Sequence, residues 1–352
     1  MEQPNAHSLR SFIEGLKTKV LTGGEISLED ALSLAGIEDN AGVDALLDAA
    51  HEIMLSNRSR RPDLCSLVNA KSYLCSEDCG FCSQSAHYQT GVKRYPLMEP
   101  EEVLAIAKRC EAQGIQSFCV VTSGETLNDA EFHKVLKTFQ LLSEKTRLRL
   151  DGSLGNLTAE QIRALKEAGL RRFNHNLQCS REFYPKIVST HTYDERMETL
   201  GFLKEHGVEI CSGGILGMGE SREDRVRLAF ELKKYPIHCL PVNILNPRPG
   251  TPLEKERPID PVEVLKTAAV YRFIHPQANI KLAGGRELNL GVYFQEKALR
   301  GGVNGLVVGG YLTTGGNPLQ EDKDLLERAG FEMEDHSKAC SCATSQALGA
   351  MF

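Results

Sequence analysis

Residues 116–170 read QSFCVVTSGETLNDAEFHKVLKTFQLLSEKTRLRLDGSLGNLTAEQIRALKEAGL. Two short apolar runs, 116–121 and 147–152, alternate with two amphipathic stretches, 128–144 and 158–168. Runs of that length bounded by turn residues predict buried strands, and the longer periodic stretches predict helices. Thr158 with Gln161 resembles a capping box, while Gly114 and Gly169 sit where helices should end. The unit is strand–helix–strand–helix.

It recurs in both directions. Further strands are predicted at 66–71, 172–177, 208–212, 240–245, 278–283 and 304–308. Further helices are predicted near 99–113, 193–206, 221–234, 260–275, 288–300 and 320–329, with Gly207 ending one of them. Strict alternation through eight units predicts a closed parallel (β/α)8 barrel of the TIM type over 66–330. An open doubly wound sheet is the alternative, and the count of eight favours closure. Residues 1–65 read as an N-terminal helical extension, with Ser27 or Glu25 near a helix start and Leu28, Ala31, Leu32 and Leu34 in helical spacing. After 330 the periodicity stops, leaving a tail over 331–352 that carries a C-x-C.

A chain of 352 residues with 41% hydrophobic and 25% charged residues is long enough for one enzyme-sized barrel with a substantial core. Its net charge of -6 argues against nucleic acid or an acidic membrane as partner. No apolar run approaches the ~18 residues of a membrane span. The opening MEQPNAHSLRSF lacks the apolar core of a secretion signal, which points to the cytoplasm. In a reducing compartment, eleven cysteines bind metal or do chemistry more readily than they pair. Cys65, Cys110 and Cys239 have apolar neighbours and read as packing residues.

The segment CSEDCGFC places Cys75, Cys79 and Cys82 just after the first predicted strand. Barrel active sites lie at the C-terminal ends of strands, so chemistry is expected there. Three thiolates hold three irons of a [4Fe-4S] cubane and leave the fourth open to an outside ligand. Zinc is the rival; it usually wants a fourth ligand, which His87 could supply.

C-x3-C-x2-C in the first loop of a barrel, with Phe81 before the third cysteine, resembles the radical SAM superfamily. The resemblance implies that the open iron binds S-adenosylmethionine, whose reductive cleavage yields methionine and a 5′-deoxyadenosyl radical. Further stretches narrow it: YLCSEDCGFCSQSAHYQTG, FNHNLQCSREFY, THTYDERMETL, CSGGILGMGE, PVNILNPRPGTPL, and LAGGRE through LTTGGNPLQEDKDLL. These resemble the biotin synthase family, which inserts sulfur into dethiobiotin at C9 and C6. The resemblance also implies a flavodoxin- or ferredoxin-type reductant and a homodimer.

On strand parity, Asn174, Asn176 and Gln178 share a face, with His175 opposite. Amides facing a barrel interior need a polar ligand or each other, and satisfaction by strand-end backbone is the plainer alternative. By resemblance, Asn176 and Asn243 hold the ureido ring, Gln178 lies near the ribose where the family has Asp, and Arg196 pairs with the cofactor carboxylate. Gly213, Gly214, Gly217 and Gly219 lack the order of a phosphate loop. They read as a close backbone approach to the cofactor, with Ile215 against adenine.

The family's second cluster, of [2Fe-2S] type and the source of the inserted sulfur, is held by three cysteines and an arginine. Cys119 and Cys211 match two of them; Asp151 and Lys281 stand where the third cysteine and the arginine are expected. Cys340 and Cys342 are the expected replacements around a different auxiliary iron–sulfur cluster, of four irons, with Cys179 as rival ligand. About nine residues, ~30 Å extended, separate them from the last helix. Other readings are a methylornithine synthase or hydrogenase-maturation type of radical SAM barrel, or a non-catalytic iron–sulfur or zinc protein.

Overall fold

The alternation predicted from sequence is present as a closed parallel barrel in the computed structural model, which describes residues 6–313 and 315–333. Its strands are β1 (Asp63–Lys71), β2 (Ser117–Thr122), β3 (Arg149–Ser153), β4 (Leu170–Asn174), β5 (Glu209–Cys211), β6 (Gly214–Leu216), β7 (Ile237–Ile244), β8 (Asn279–Leu282) and β9 (Gly305–Val307). All pairings between them are parallel, and β9 closes on β1. Nine segments make eight staves. β5 and β6 both pair with β7 and are two halves of one stave, interrupted at Ser212 and Gly213. Glycine is required at the interruption: a Cβ on Gly213 would come within 2.1 Å of the Pro241 carbonyl oxygen.

Helices α4 (Pro100–Ala112), α5 (Asp129–Lys145), α6 (Ala159–Glu167), α7 (Tyr193–Glu205), α8 (Arg222–Leu232), α9 (Pro261–Ile274), α10 (Arg286–Leu299) and α11 (Leu319–Arg328) follow the staves. Their starts are written locally. Thr158 accepts from the Gln161 amide while Gln161 Oε1 accepts from the Thr158 amide, the reciprocal box expected from sequence. Gly114, Gly169 and Gly207 take positive φ of 83°, 110° and 60° where α4, α6 and α7 end.

Strand parity separates two environments. In β2, Phe118 and Val120 join the apolar layer beneath the helices, with Phe139 and Leu142 of α5, whereas Cys119 and Val121 face the barrel interior. The apolar core is therefore the shell between sheet and helices, where burying each large side chain contributes roughly 1.5–3 kcal/mol. The interior is left for polar chemistry.

Three further helices, α1 (Ala6–Leu21), α2 (Leu28–Ala35) and α3 (Asn40–Asn57), precede the barrel; the last two pack on α9. Ser27, not Glu25, caps the second of them. Lys266 of α9 ties this layer down by donating to the carbonyls of Ala35 and Ile37 at 3.2 and 2.8 Å. The first strand begins at Asp63, three residues before the expected start of the barrel at 66.

Candidate active site

The barrel interior opens at the C-terminal ends of the strands as a cavity of about 340 Å³. Nine cysteines are described, and seven of them line it: Cys65, Cys75, Cys79, Cys82, Cys119, Cys211 and Cys239. They form two tiers. Cys75, Cys79 and Cys82 belong to the loop after β1, at the mouth; the other four project from β1, β2, β5 and β7 below it.

The mouth loop is braced from the far side of the barrel. Cys75 and Ala86 pair through their backbone, and the Cys82 amide donates to the Cys79 carbonyl at 2.9 Å. Asp78 accepts from Ser189 and Thr190 amides and from the Ser189 hydroxyl, and Thr190 donates to Glu77 at 2.6 Å. His191 stands 3.6 Å from the Cys79 sulfur through Nε2, its other ring nitrogen 2.9 Å from the Tyr184 hydroxyl. Burial pushes the Cys82 thiol up to about 11 and raises Cys75 and Cys79 as well, the charges of neighbouring thiolates adding to Cys79. Three half-buried thiols that resist ionisation in each other's company fit a cationic iron core, which supplies the compensating charge. His87, the zinc alternative, is turned to the Ser76 carbonyl at 2.8 Å and does not line the cavity.

Between the tiers lie the amides. Asn174, Asn176, Gln178 and Asn243 all line the cavity, with Phe81, Arg196 and Ile215. The parity argument holds only to Asn174, where β4 ends; His175 then lines the cavity too. The amides also satisfy backbone: Asn176 Oδ1 accepts from Gly213, and Asn243 bridges the Gly214 carbonyl and the Gly284 amide at 3.1 Å each. Asn174 donates to the Cys211 sulfur at 3.2 Å. Gln178 adopts φ 73°, and its buried Oε1 has no partner, an acceptor aimed at something the protein itself does not provide.

Two expectations shift. Gly214 is absent from the cavity wall; a Cβ there would meet the Gln178 carbonyl oxygen at 2.5 Å, so its smallness serves chain packing. Cys179 lies in the apolar core, carried away from the cavity by the left-handed turn at Gln178, which removes the support for it as a cluster ligand. Cys340 and Cys342 lie outside the described residues.

The floor tier departs most from the sequence reading. Of the three cysteines read as packing, only Cys110 joins the apolar core; Cys65 and Cys239 face the cavity. Cys211 and Cys239 are register partners on adjacent strands, close enough for each thiol to shift the other, Cys211 upward and Cys239 downward. Cys65 donates to Asp151 at 3.9 Å. Below them Asp63 ion-pairs with Arg149 at 2.9 Å, Arg172 at 3.2 Å and Lys281 at 3.3 Å. Counting from Asn243 in steps of two reaches Pro241 and Cys239, so inward parity was the signal available for Cys239.

Comparison with known proteins agrees with this construction. The radical SAM superfamily profile matches residues 71–232, and the Biotin and Thiamin Synthesis associated domain matches 241–332. A biotin synthase of Acetivibrio thermocellus is 45% identical over 324 residues, 92% of this chain and 99% of that one. A biotin synthase of Clostridioides difficile is 43% identical over 327 residues, 92% of this chain and 100% of that one. Among solved structures, methylornithine synthase (PylB) superposes with a TM-score of 0.80 at 20% identity, covering 92% of this chain and 98% of its own. The hydrogenase maturase HydG superposes at 0.78 and 18% identity, covering 91% of this chain and 74% of its own; both share the fold. With two tiers of thiols in one barrel and relatives above 40% identity along nearly its whole length, the chain belongs to the biotin synthase family of radical SAM enzymes.

Proposed function

We propose that this chain converts dethiobiotin to biotin by radical sulfur insertion at C9 and C6. The observation that carries the reading is the stacking of two thiol tiers in one cavity with amides between them. Cys75, Cys79 and Cys82 would hold the [4Fe-4S] cluster, and the floor around Cys119 and Cys211 an auxiliary iron–sulfur cluster of four irons. When bound, these groups and S-adenosylmethionine supply the deoxyadenosyl radical and the sulfur.

The protein's own contribution is placement. Arg196, fixed through Nε to the Asn176 carbonyl, presents its charge toward the mouth for the cofactor carboxylate. Gln178 offers its unpartnered oxygen to the ribose, and Ile215 its side chain to adenine. Asn176 and Asn243, each anchored to backbone, hold the polar ureido ring in one orientation, with Asn174 beside them. A substrate fixed between tiers exposes one carbon to each, which confines a reactive radical to its target.

The remaining auxiliary ligands come either from the tail thiols Cys340 and Cys342 or from the floor itself. In favour of the tail, Met333 lines a second pocket beneath the floor with Asp63 and Arg149. The proposal extends to a cytoplasmic enzyme that works as a homodimer and takes electrons from a flavodoxin- or ferredoxin-type protein. Among the described residues no helix is long and apolar enough to cross a membrane.

Anaerobic protein given S-adenosylmethionine, dithionite and dethiobiotin tests the reading. Deoxyadenosine together with biotin is expected. Deoxyadenosine without biotin would favour a sister reaction of the methylornithine synthase kind, and neither product a non-catalytic iron–sulfur or zinc protein.

A further inference from the structure

The floor of the barrel carries two thiols to which the reading above gives no task. Cys65 and Cys239 are buried, unpaired, and absent from the apolar core that surrounds the barrel. Both face the same cavity as Cys119 and Cys211. The four come from β1, β2, β5 and β7, so they approach one volume from around the barrel rather than from one strand.

We infer that Cys65 and Cys239 are ligands of the auxiliary iron–sulfur cluster, so that with Cys119 and Cys211 the barrel itself supplies a four-thiol floor site. The inference rests on the reading that an auxiliary cluster is present.

Three observations carry it. The first is proximity: Cys211 and Cys239 are register partners on adjacent strands, and Cys65 and Cys119 both stand beside Asp151, the first in contact and the second in register. A buried thiol kept for packing has no reason to stand beside another thiol or a carboxylate; an apolar side chain would do better. The second is charge. Arg172 and Lys281 are buried on the floor, and the ammonium of Lys281 is within electrostatic reach of all four sulfurs. A buried ammonium this close to four sulfurs suits an anionic group, which a thiolate-ligated cluster is. The third is close packing of the floor: on β9, a Cβ at Gly305 would meet the Asp63 carbonyl oxygen at 2.5 Å and the Lys281 stem at 2.8 Å, so glycine there lets Lys281 lie against the strand.

Ligation requires each thiol to lose its proton, so cluster assembly releases protons from the floor and leaves the thiolates bound to iron. No redox change at sulfur is needed. Asp151 occupies a wall position between two of the thiols and fits as a hydrogen-bonding neighbour of the site.

The test isolates the floor by replacing Cys75, Cys79 and Cys82 with alanine in the full chain. After anaerobic reconstitution with iron and sulfide, this chain is expected to retain one cluster by iron count, sulfide count and Mössbauer spectrum. In it, Cys65→Ser and Cys239→Ser are each expected to lower bound iron by at least half and to alter the spectrum. Cys340→Ser with Cys342→Ser is expected to leave both unchanged. Wild-type iron and spectra in the Cys65 and Cys239 variants, with loss in the tail variant, overturn the inference and return the ligands to the tail. Absence of any cluster in the starting chain overturns the floor site together with the auxiliary part of the reading; formation of biotin by the unmodified enzyme is scored separately. For variants that do not fold, the unmodified chain gives the answer. N-ethylmaleimide mapped by mass spectrometry is expected to label Cys65 and Cys239 after iron is stripped and to spare them in the loaded protein. Equal labelling in the two states counts against ligation.

Discussion

The Nε of Arg196 donates a 2.7 Å hydrogen bond to the carbonyl oxygen of Asn176, joining helix α7 to the amide segment that follows β4. One arginine thereby fixes two things, the cationic edge of the cavity mouth and the backbone of a residue read as holding substrate. Its charge is felt at Cys79, His175 and His191, which places it beside the mouth tier.

Arg196→Ala should therefore weaken S-adenosylmethionine binding roughly ten- to a hundredfold, the loss of a charge-assisted bond worth about 1.5–3 kcal/mol. Arg196→Lys should recover only part of it, because an ammonium cannot serve the Asn176 carbonyl and a carboxylate with one planar fork. Equilibrium dialysis on cluster-loaded protein measures this, with the iron content of the mouth cluster expected to stay constant.

The mouth tier makes a pH prediction. Burial raises all three thiols, Cys82 to about 11, so the empty cradle is protonated at neutral pH. Iron must displace those protons, and loading should tighten as pH rises, by up to about tenfold per unit for each proton released. Titrating iron into the empty protein between pH 7 and 9 in weak buffer should show proton release with binding. Alanine at Cys75, Cys79 or Cys82 should abolish deoxyadenosine formation outright while leaving the barrel folded by circular dichroism.

The barrel was legible because periodicity and capping are local: the Thr158–Gln161 box and the glycines at 114, 169 and 207 act within one turn of their own helices. What sequence pattern missed arises between strands. Cys65 and Cys239 lie beside Leu64 and Leu240, which face the helices, so their apolar neighbours concealed an inward parity. A strand running to 177 puts His175 on the opposite face, but the regular register of β4 ends at Asn174. The need for glycine at 213 is set by the Pro241 carbonyl, 28 residues away in the chain, and no local window contains it.

Asp63 is the electrostatic centre of the floor, and its three cations hold its carboxyl far below the usual range despite burial. Asp63→Asn leaves Arg149, Arg172 and Lys281 without their shared counter-ion and should destabilise by about 3–5 kcal/mol at pH 7. The sign of the pH dependence follows. A depressed folded value means that the Asp63 contribution is complete above the unfolded value near 3.9 and is lost progressively as pH falls from there toward the folded one. The gap between wild type and variant in urea unfolding should thus be constant from pH 7 to 5 and should narrow below about pH 4.

Glycine substitutions give a test with opposite signs on neighbouring elements. A Cβ at Gly214 would lie 2.5 Å from the Gln178 carbonyl oxygen and 2.5 Å from Leu228 Cδ2. The leucine can rotate away, but the carbonyl accepts a 2.8 Å bond from Ile215 and is fixed in the sheet edge. Gly214→Ala should therefore cost at least ~1–3 kcal/mol, and by displacing Gln178 and Ile215 it should also weaken binding of S-adenosylmethionine. Gly201, inside α7 and five residues from Arg196, has nothing within 4 Å of the same added atom. Gly201→Ala should stabilise by about 0.5–1 kcal/mol through helix propensity, with cofactor affinity unchanged. Paired denaturation curves and binding isotherms read both, and a Gly214→Ala protein with unaltered stability would show that the strand edge is free to move.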